Sequence, residues 1–130
     1  MIGIAYVDAS ALVKLILVEP ESHAVHRWFV EAPRVATSRV GIVETLRAAS
    51  RRDHDPAHRD HVIADVSVFE LDADIAAVAA SVGGPHLRTL DAIHIATALA
   101  LAPDLEAFVT YDERMAEAAR SLGLPVVRPA

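Results

Sequence analysis

Four acidic residues, Asp8, Glu44, Asp91 and Asp112, are spread along the chain, and each lies in or beside an apolar run. Asp8 follows IGIAYV, Glu44 lies within SRVGIVETLRAA, Asp91 opens DAIHIATALAL, and Asp112 follows EAFVTY. A carboxylate shielded from water is costly unless something pairs with its charge. A divalent cation removes that cost, and a ligand set made only of oxygen suits Mg²⁺ or Mn²⁺. Such an ion activates water and stabilises charge on a transferring phosphoryl group. The candidate chemistry is metal-assisted attack on phosphate. Each acid also has a plainer reading. Glu44 falls mid-helix, where a carboxylate can simply face solvent. Asp91 falls in the first turn of a helix, where the dipole favours an anion. On the residues alone, a plain α/β domain and a protein-binding module stay open beside phosphate chemistry.

Several neighbours could support such a site. Ser10, two residues after Asp8, either caps the following helix or orients a carboxylate or water. Thr110, two residues before Asp112, either orients that acid or is an ordinary strand residue. Arg47 follows Glu44 by three residues and could pair with an acid or approach a substrate phosphate, as could Arg88. Arg51 and Arg52 read as solvated residues with RNA contact as the alternative. His94 follows Asp91 by three residues and shares its helix face. Its apolar surroundings favour packing or support over metal ligation. Trp28 and Phe29 suit core or dimer packing better than base stacking. Aromatic residues make up only 5% of the chain, which argues against extensive stacking.

The elements that must position these groups alternate along the chain. Ile2 to Val7 reads as a buried strand, and a helix capped by Ser10 runs to about Leu17. A second helix covers Ser22 to Glu31. Val35 to Thr37 is a short strand, and Ser38 caps a helix reaching Ser50. RRDHDP breaks the pattern. A helix over Ala57 to Asp65, a strand over Val66 to Leu71 and a helix over Asp72 to Val82 follow. Gly83-Gly84-Pro85 marks a turn. Thr89 caps a helix from Leu90 to Leu101. Ala107 to Thr110 is a strand, Glu113 to Leu122 a helix, and Pro125 to Val127 the last strand. The strand runs are continuously apolar, which predicts a parallel sheet covered on both faces. Asp8 and Asp112 then fall at the carboxyl ends of strands, where open parallel sheets bind ligands.

The composition sets limits on these readings. The 130 residues suit one domain spanning 1–130, and 53% hydrophobic residues can fill its core. The absence of cysteine excludes a disulfide scaffold and a thiolate metal site. No basic-then-apolar leader opens the sequence, and no uncharged apolar stretch approaches about 18 residues. The expectation is a cytoplasmic globular domain with no membrane association. The net charge of -6 argues against a broad nonspecific nucleic-acid surface, although an acidic metal cluster contributes part of that charge.

Four ordered blocks carry a resemblance to a known family. YVDASALVKL (Tyr6 to Leu15) resembles the opening strand and helix of PIN-domain ribonucleases. SRVGIVETLRA (Ser38 to Ala48) resembles their second acidic motif, and LRTLDAIHIATAL (Leu87 to Leu99) their third. FVTYDERMAEAARSLGLPVV (Phe108 to Val127) resembles the last acid-bearing strand, helix and strand. The subgroup most similar is the VapC-like toxins of bacterial type II toxin–antitoxin pairs. The resemblance implies a three-layer α/β/α fold with a mostly parallel five-stranded sheet in the order 3-2-1-4-5. It implies that Asp8, Glu44, Asp91 and Asp112 form the catalytic and metal-binding site, with Ser10 near it. It implies Mg²⁺- or Mn²⁺-dependent endonucleolytic cleavage of RNA, with tRNA and rRNA as candidate substrates and 5′-phosphate and 3′-hydroxyl products. It also implies a cognate antitoxin partner and a homodimer.

Other phosphate-handling families fit less well. A receiver-like domain needs a phosphoacceptor Asp after its third strand and a Lys near its fifth, whereas Lys14 is the only lysine here. A haloacid-dehalogenase-like phosphatase presents a second Asp where this chain has Ser10. A catalytically silent PIN-like binding module, a metal-dependent phosphatase and a DNA nuclease remain the alternatives.

Overall fold

The computed structural model describes residues 3–32 and 34–130, so the expected strand start at Ile2 lies outside the described residues. β1 (Ile4–Val7) is buried along its whole length. Successive strand side chains point to opposite faces. Ala5 and Val7 accordingly join one core cluster, and Ile4 and Tyr6 join the other. A strand buried on both faces needs the unbroken apolar run that the sequence supplies.

The remaining elements follow in the alternating order. They are α1 (Ala9–Ile16), α2 (Ser22–Glu31), β2 (Val35–Ser38), α3 (Arg39–Ala49), α4 (Pro56–Ala64) and β3 (Ser67–Phe69). Then come α5 (Ala73–Ala79), α6 (Thr89–Leu101), β4 (Leu105–Val109), α7 (Glu113–Ser121) and β5 (Val126–Val127). The sheet order is β3-β2-β1-β4-β5, and every strand pairing is parallel. β1 is central, and the order reverses across it, so the crevice between the ends of β1 and β4 is the switch point.

One face of the sheet packs against Leu12, Leu15 and Ile16 of α1, Val25 of α2, Ile42 and Ala49 of α3, and Val62 of α4. The other packs against Ile95, Ala98 and Leu101 of α6 and Met115 and Ala119 of α7. This is the three-layer arrangement that the resemblance implies. Trp28 and Phe29 lie partly buried against the first cluster, in agreement with their packing reading.

Two helix caps differ from the sequence expectation. The N-cap of α1 is Asp8, whose carboxylate accepts the Ala11 N–H; Ser10 lies inside the first turn. An aspartate caps as well as a serine does, and here it ends the strand directly before the helix. The N-cap of α6 is Arg88, without a side-chain bond, and Thr89 is the first helical residue. Ser38 caps α3 through the Gly41 N–H as expected. The turn at Gly83-Gly84 has φ of 72° and 77°, a conformation that glycine adopts without a Cβ penalty.

Candidate active site

Asp8 sits one residue past the end of β1 and is 3% exposed. Its Oδ1 accepts from Ser10 Oγ at 2.6 Å and from the Ala11 N–H at 3.2 Å. Its Oδ2 accepts from Thr110 Oγ1 at 2.5 Å. Ser10 Oγ in turn accepts from the Tyr111 N–H at 2.8 Å, and Thr110 Oγ1 from the Asp112 N–H at 3.1 Å. The two hydroxyls therefore tie the end of β1 to the end of β4. Ser10 orients the carboxylate instead of capping the helix. Thr110 orients Asp8 through its side chain and meets Asp112 only at the backbone, whereas the sequence spacing had pointed to Asp112. The reason is the parallel pairing of Val7 with Val109, which sets Asp8 beside Thr110 across the strands.

Burial pushes the Asp8 carboxyl above its ordinary pKa, and the Ser10 and Thr110 hydrogen bonds pull it back down. Asp91, in the first turn of α6, is also raised, first by burial and then by the charge of Asp112. His94 and Arg88 oppose that shift, while the charge of Glu44 adds to it. Asp91 thus feels Asp112 and Glu44, while the Thr110 hydroxyl joins Asp8 to the backbone of Asp112, so the four acids share one region at the carboxyl edge of the sheet. A hard divalent cation matches this all-oxygen donor set and would relieve the repulsion.

The four acids nonetheless do not form a closed ligand cage. Among the described residues, no group of three or more His, Asp or Glu side chains is placed to hold one ion. Two of the acids are engaged elsewhere. Asp112 caps α7, its Oδ1 accepting from the Arg114 N–H at 2.9 Å and the Met115 N–H at 3.1 Å. Glu44 Oε1 is bonded to His94 Nε2 at 2.6 Å. Each keeps a second carboxylate oxygen that takes no part in these bonds.

The sequence reading missed the partner of His94. Its ring is 1% exposed, with Nδ1 2.6 Å from Tyr6 Oη on one side and Glu44 on the other. A signal was present: a histidine inside an apolar helix and a tyrosine inside an apolar strand both need partners when buried. Arg47 lines a cleft of about 480 Å³ with Glu44, Arg39, Arg51 and Leu90. Arg88 lines a second cleft, of about 390 Å³, with Asp91 and Arg114. Arg52 is exposed and tied to Glu19 at 3.2 Å and to the Val18 carbonyl.

Comparison with known proteins follows the same lines. The family profile of the PIN domain matches residues 5–121. The chain is 46% identical over 131 residues to Ribonuclease VapC35 of Mycobacterium tuberculosis (strain ATCC 25618 / H37Rv), covering 95% of this chain and 96% of that protein. The crystal structure of Mycobacterium tuberculosis VapC20, described as a sarcin–ricin loop cleaving toxin, superposes with a TM-score of 0.73 at 21% identity. That superposition covers 96% of this chain and 99% of the other. VapBC2 from Rickettsia felis, bound to a DNA fragment from its promoter, superposes with a TM-score of 0.68 at 12% identity, covering 98% and 99%. At these identities the two structures attest the shared fold.

Proposed function

The chain belongs to the PIN-domain family, and on that premise we propose that it is a VapC-type endoribonuclease, the toxin of a toxin–antitoxin pair. The observation that carries this reading is the buried Asp8 carboxylate at the adjoining ends of two parallel strands, with Asp112 following β4 and Asp91 within reach of its charge. Asp8, Asp91 and Asp112, with Glu44, would hold Mg²⁺ or Mn²⁺. When bound, such an ion supplies Lewis acidity toward water and phosphate oxygen.

The residues of the chain supply the rest. Three donors fix the Asp8 carboxylate before any substrate arrives, so no reorganisation is needed at the moment of reaction. The Asp112 cap uses Oδ1, leaving Oδ2 for the site. Arg47 and Arg51 beside Glu44, and Arg88 beside Asp91, take the RNA backbone phosphates. Water attacks phosphorus, the bond from phosphorus to the 3′-oxygen breaks, and that oxygen takes up a proton. The products carry a 5′-phosphate and a 3′-hydroxyl. The substrate class is structured RNA, with tRNA and rRNA the candidates, met in the cytoplasm. No helix among the described residues is long and apolar enough to cross a membrane. The partners are a cognate antitoxin, by analogy with the VapBC2 neighbour, and a second copy of the chain.

A second reading is a PIN-like binding module without catalysis. It draws on the engagement of Asp112 and Glu44 by groups other than one another. One experiment separates the two. Purified, antitoxin-free protein is incubated with total bacterial RNA and Mn²⁺, with EDTA and Asp8→Ala controls. Discrete cuts that vanish in both controls support the nuclease. Folded, Mn²⁺-loaded protein that cuts nothing supports the binding module.

A further inference from the structure

We propose that His94 is a positioning residue that sets the carboxylate of Glu44, a role resting on the nuclease reading above. A chain of hydrogen bonds through three residues, Tyr6, His94 and Glu44, starts from a buried end at Tyr6. Tyr6 is 0% exposed and stacks on Phe108, with ring centroids 5.3 Å apart and 15° between planes. Its hydroxyl meets Nδ1 of His94 at 2.6 Å. At the other end a carboxylate can only accept, so Nε2 carries the proton that reaches Glu44 Oε1 at 2.6 Å. The Nε2–H tautomer then accepts from Tyr6 at Nδ1 and donates to Glu44 at Nε2. The acceptor-only carboxylate thereby sets the tautomer, and the Tyr6 hydroxyl complements it.

This chain does three things to the site. Both ring nitrogens are engaged, which leaves neither for a metal ion. Glu44 extends from the middle of α3 with its side chain 31% exposed, and it would otherwise sample several rotamers. Pinning one oxygen restricts where the other points. The ring lies beside α3 at Gly41, close enough that an added Cβ there would come within 3.1 Å of His94 Cε1. Since His94 and Asp91 share one face of α6, that helix delivers one acid and tethers another.

The test has a kinetic arm and a spectroscopic arm. In RNA cleavage, His94→Ala should lower kcat about 10- to 100-fold with KM nearly unchanged, the usual scale for a residue that orients a ligand from behind. Tyr6→Phe keeps the buried ring and should lower kcat less. The pair Glu44→Ala and His94→Ala together should be no slower than Glu44→Ala alone, because His94 acts through Glu44. Circular dichroism and melting curves verify that each variant folds. Wild-type kcat in His94→Ala, or a double variant in which the two losses multiply, would overturn the proposal. The second arm records histidine ring nitrogen NMR spectra of the metal-free protein. An Nε2–H tautomer whose proton resonance moves in Glu44→Gln is expected; an Nδ1–H tautomer, or a resonance indifferent to Glu44→Gln, overturns the tether. That arm needs no cleavage, so it decides the proposal even where wild-type protein cuts no RNA and the nuclease reading itself fails.

Discussion

Thr110 Oγ1 donates to Asp8 Oδ2 at 2.5 Å and accepts from the Asp112 N–H at 3.1 Å, so one hydroxyl serves the acids at the ends of two neighbouring strands. Thr110→Val keeps the shape and removes the hydroxyl. It leaves a buried carboxylate oxygen and a backbone N–H without their partner. The expected loss of stability is about 1–3 kcal/mol, the scale for stranding a buried polar group. Thr110→Ser should recover most of it. Urea unfolding midpoints of the three proteins check this, and an unchanged midpoint in the valine variant would refute the assigned role. Cleavage should fall in the same order.

The buried Asp8 makes the metal-free protein sensitive to pH in a definite direction. Its folded pKa is raised by burial, so the folded chain holds that proton more tightly than the unfolded chain does. The resulting stability is complete below the unfolded carboxyl value and is lost as pH rises through the folded one. Asp91, raised by burial and by Asp112, acts in the same sense. Asp8→Asn removes the buried charge and keeps a good capping side chain. In EDTA, wild type should lose stability relative to this variant as pH rises from the carboxyl range to neutral, whatever the offset left by the lost acceptor for Thr110. Its cleavage activity should be lost. A difference that does not change with pH, or that changes in the opposite sense, would contradict the sign.

Asp112 carries two duties that substitution can separate. Its Oδ1 caps α7 through the Arg114 and Met115 N–H groups, and its charge raises the pKa of Asp91. Asp112→Ala loses both, and the cap alone is worth about 1 kcal/mol. Asp112→Asn keeps the cap and loses the charge. Both variants should lose cleavage, whereas only the alanine variant should lose stability. Thermal melting of the pair gives the answer, and equal destabilisation would remove the cap from the account.

The fold was legible in the sequence because unbroken apolar runs such as Ile4–Val7 and Phe108–Val109 have few uses besides strands buried on both faces. The four acids stood out as candidates because each lies in or beside such a run. The sheet order and the site roles came from the likeness of whole motifs, which periodicity alone does not supply. What escaped was set by pairing across the chain. Ser10 and Thr110 each had an orienting role among their readings, but local spacing set Thr110 beside Asp112 and cannot reveal that both hydroxyls lie against Asp8. The Tyr6–His94–Glu44 chain joins residues from β1, α6 and α3, so no window of sequence contains it.

Gly41 is where that tertiary arrangement becomes visible in a single residue. A Cβ there would lie 2.4 Å from Thr37 Oγ1 and 3.1 Å from His94 Cε1, so α3 can approach β2 and α6 this closely only with glycine at the contact. Gly41→Ala should destabilise the protein by about 1–3 kcal/mol, the usual scale of overpacking. Thr37 Oγ1 has no hydrogen-bond partner of good geometry among the described residues, so Thr37→Ala by itself should cost about 1 kcal/mol, the scale of a lost buried methyl. Adding Thr37→Ala to Gly41→Ala removes the 2.4 Å contact and should restore much of the lost stability. The 3.1 Å contact with His94 remains in that double variant. If His94 sets Glu44, the double variant should melt near wild type and still cleave RNA slowly. Recovery of stability and of kcat together would show that cleavage tolerates displacement of the imidazole ring.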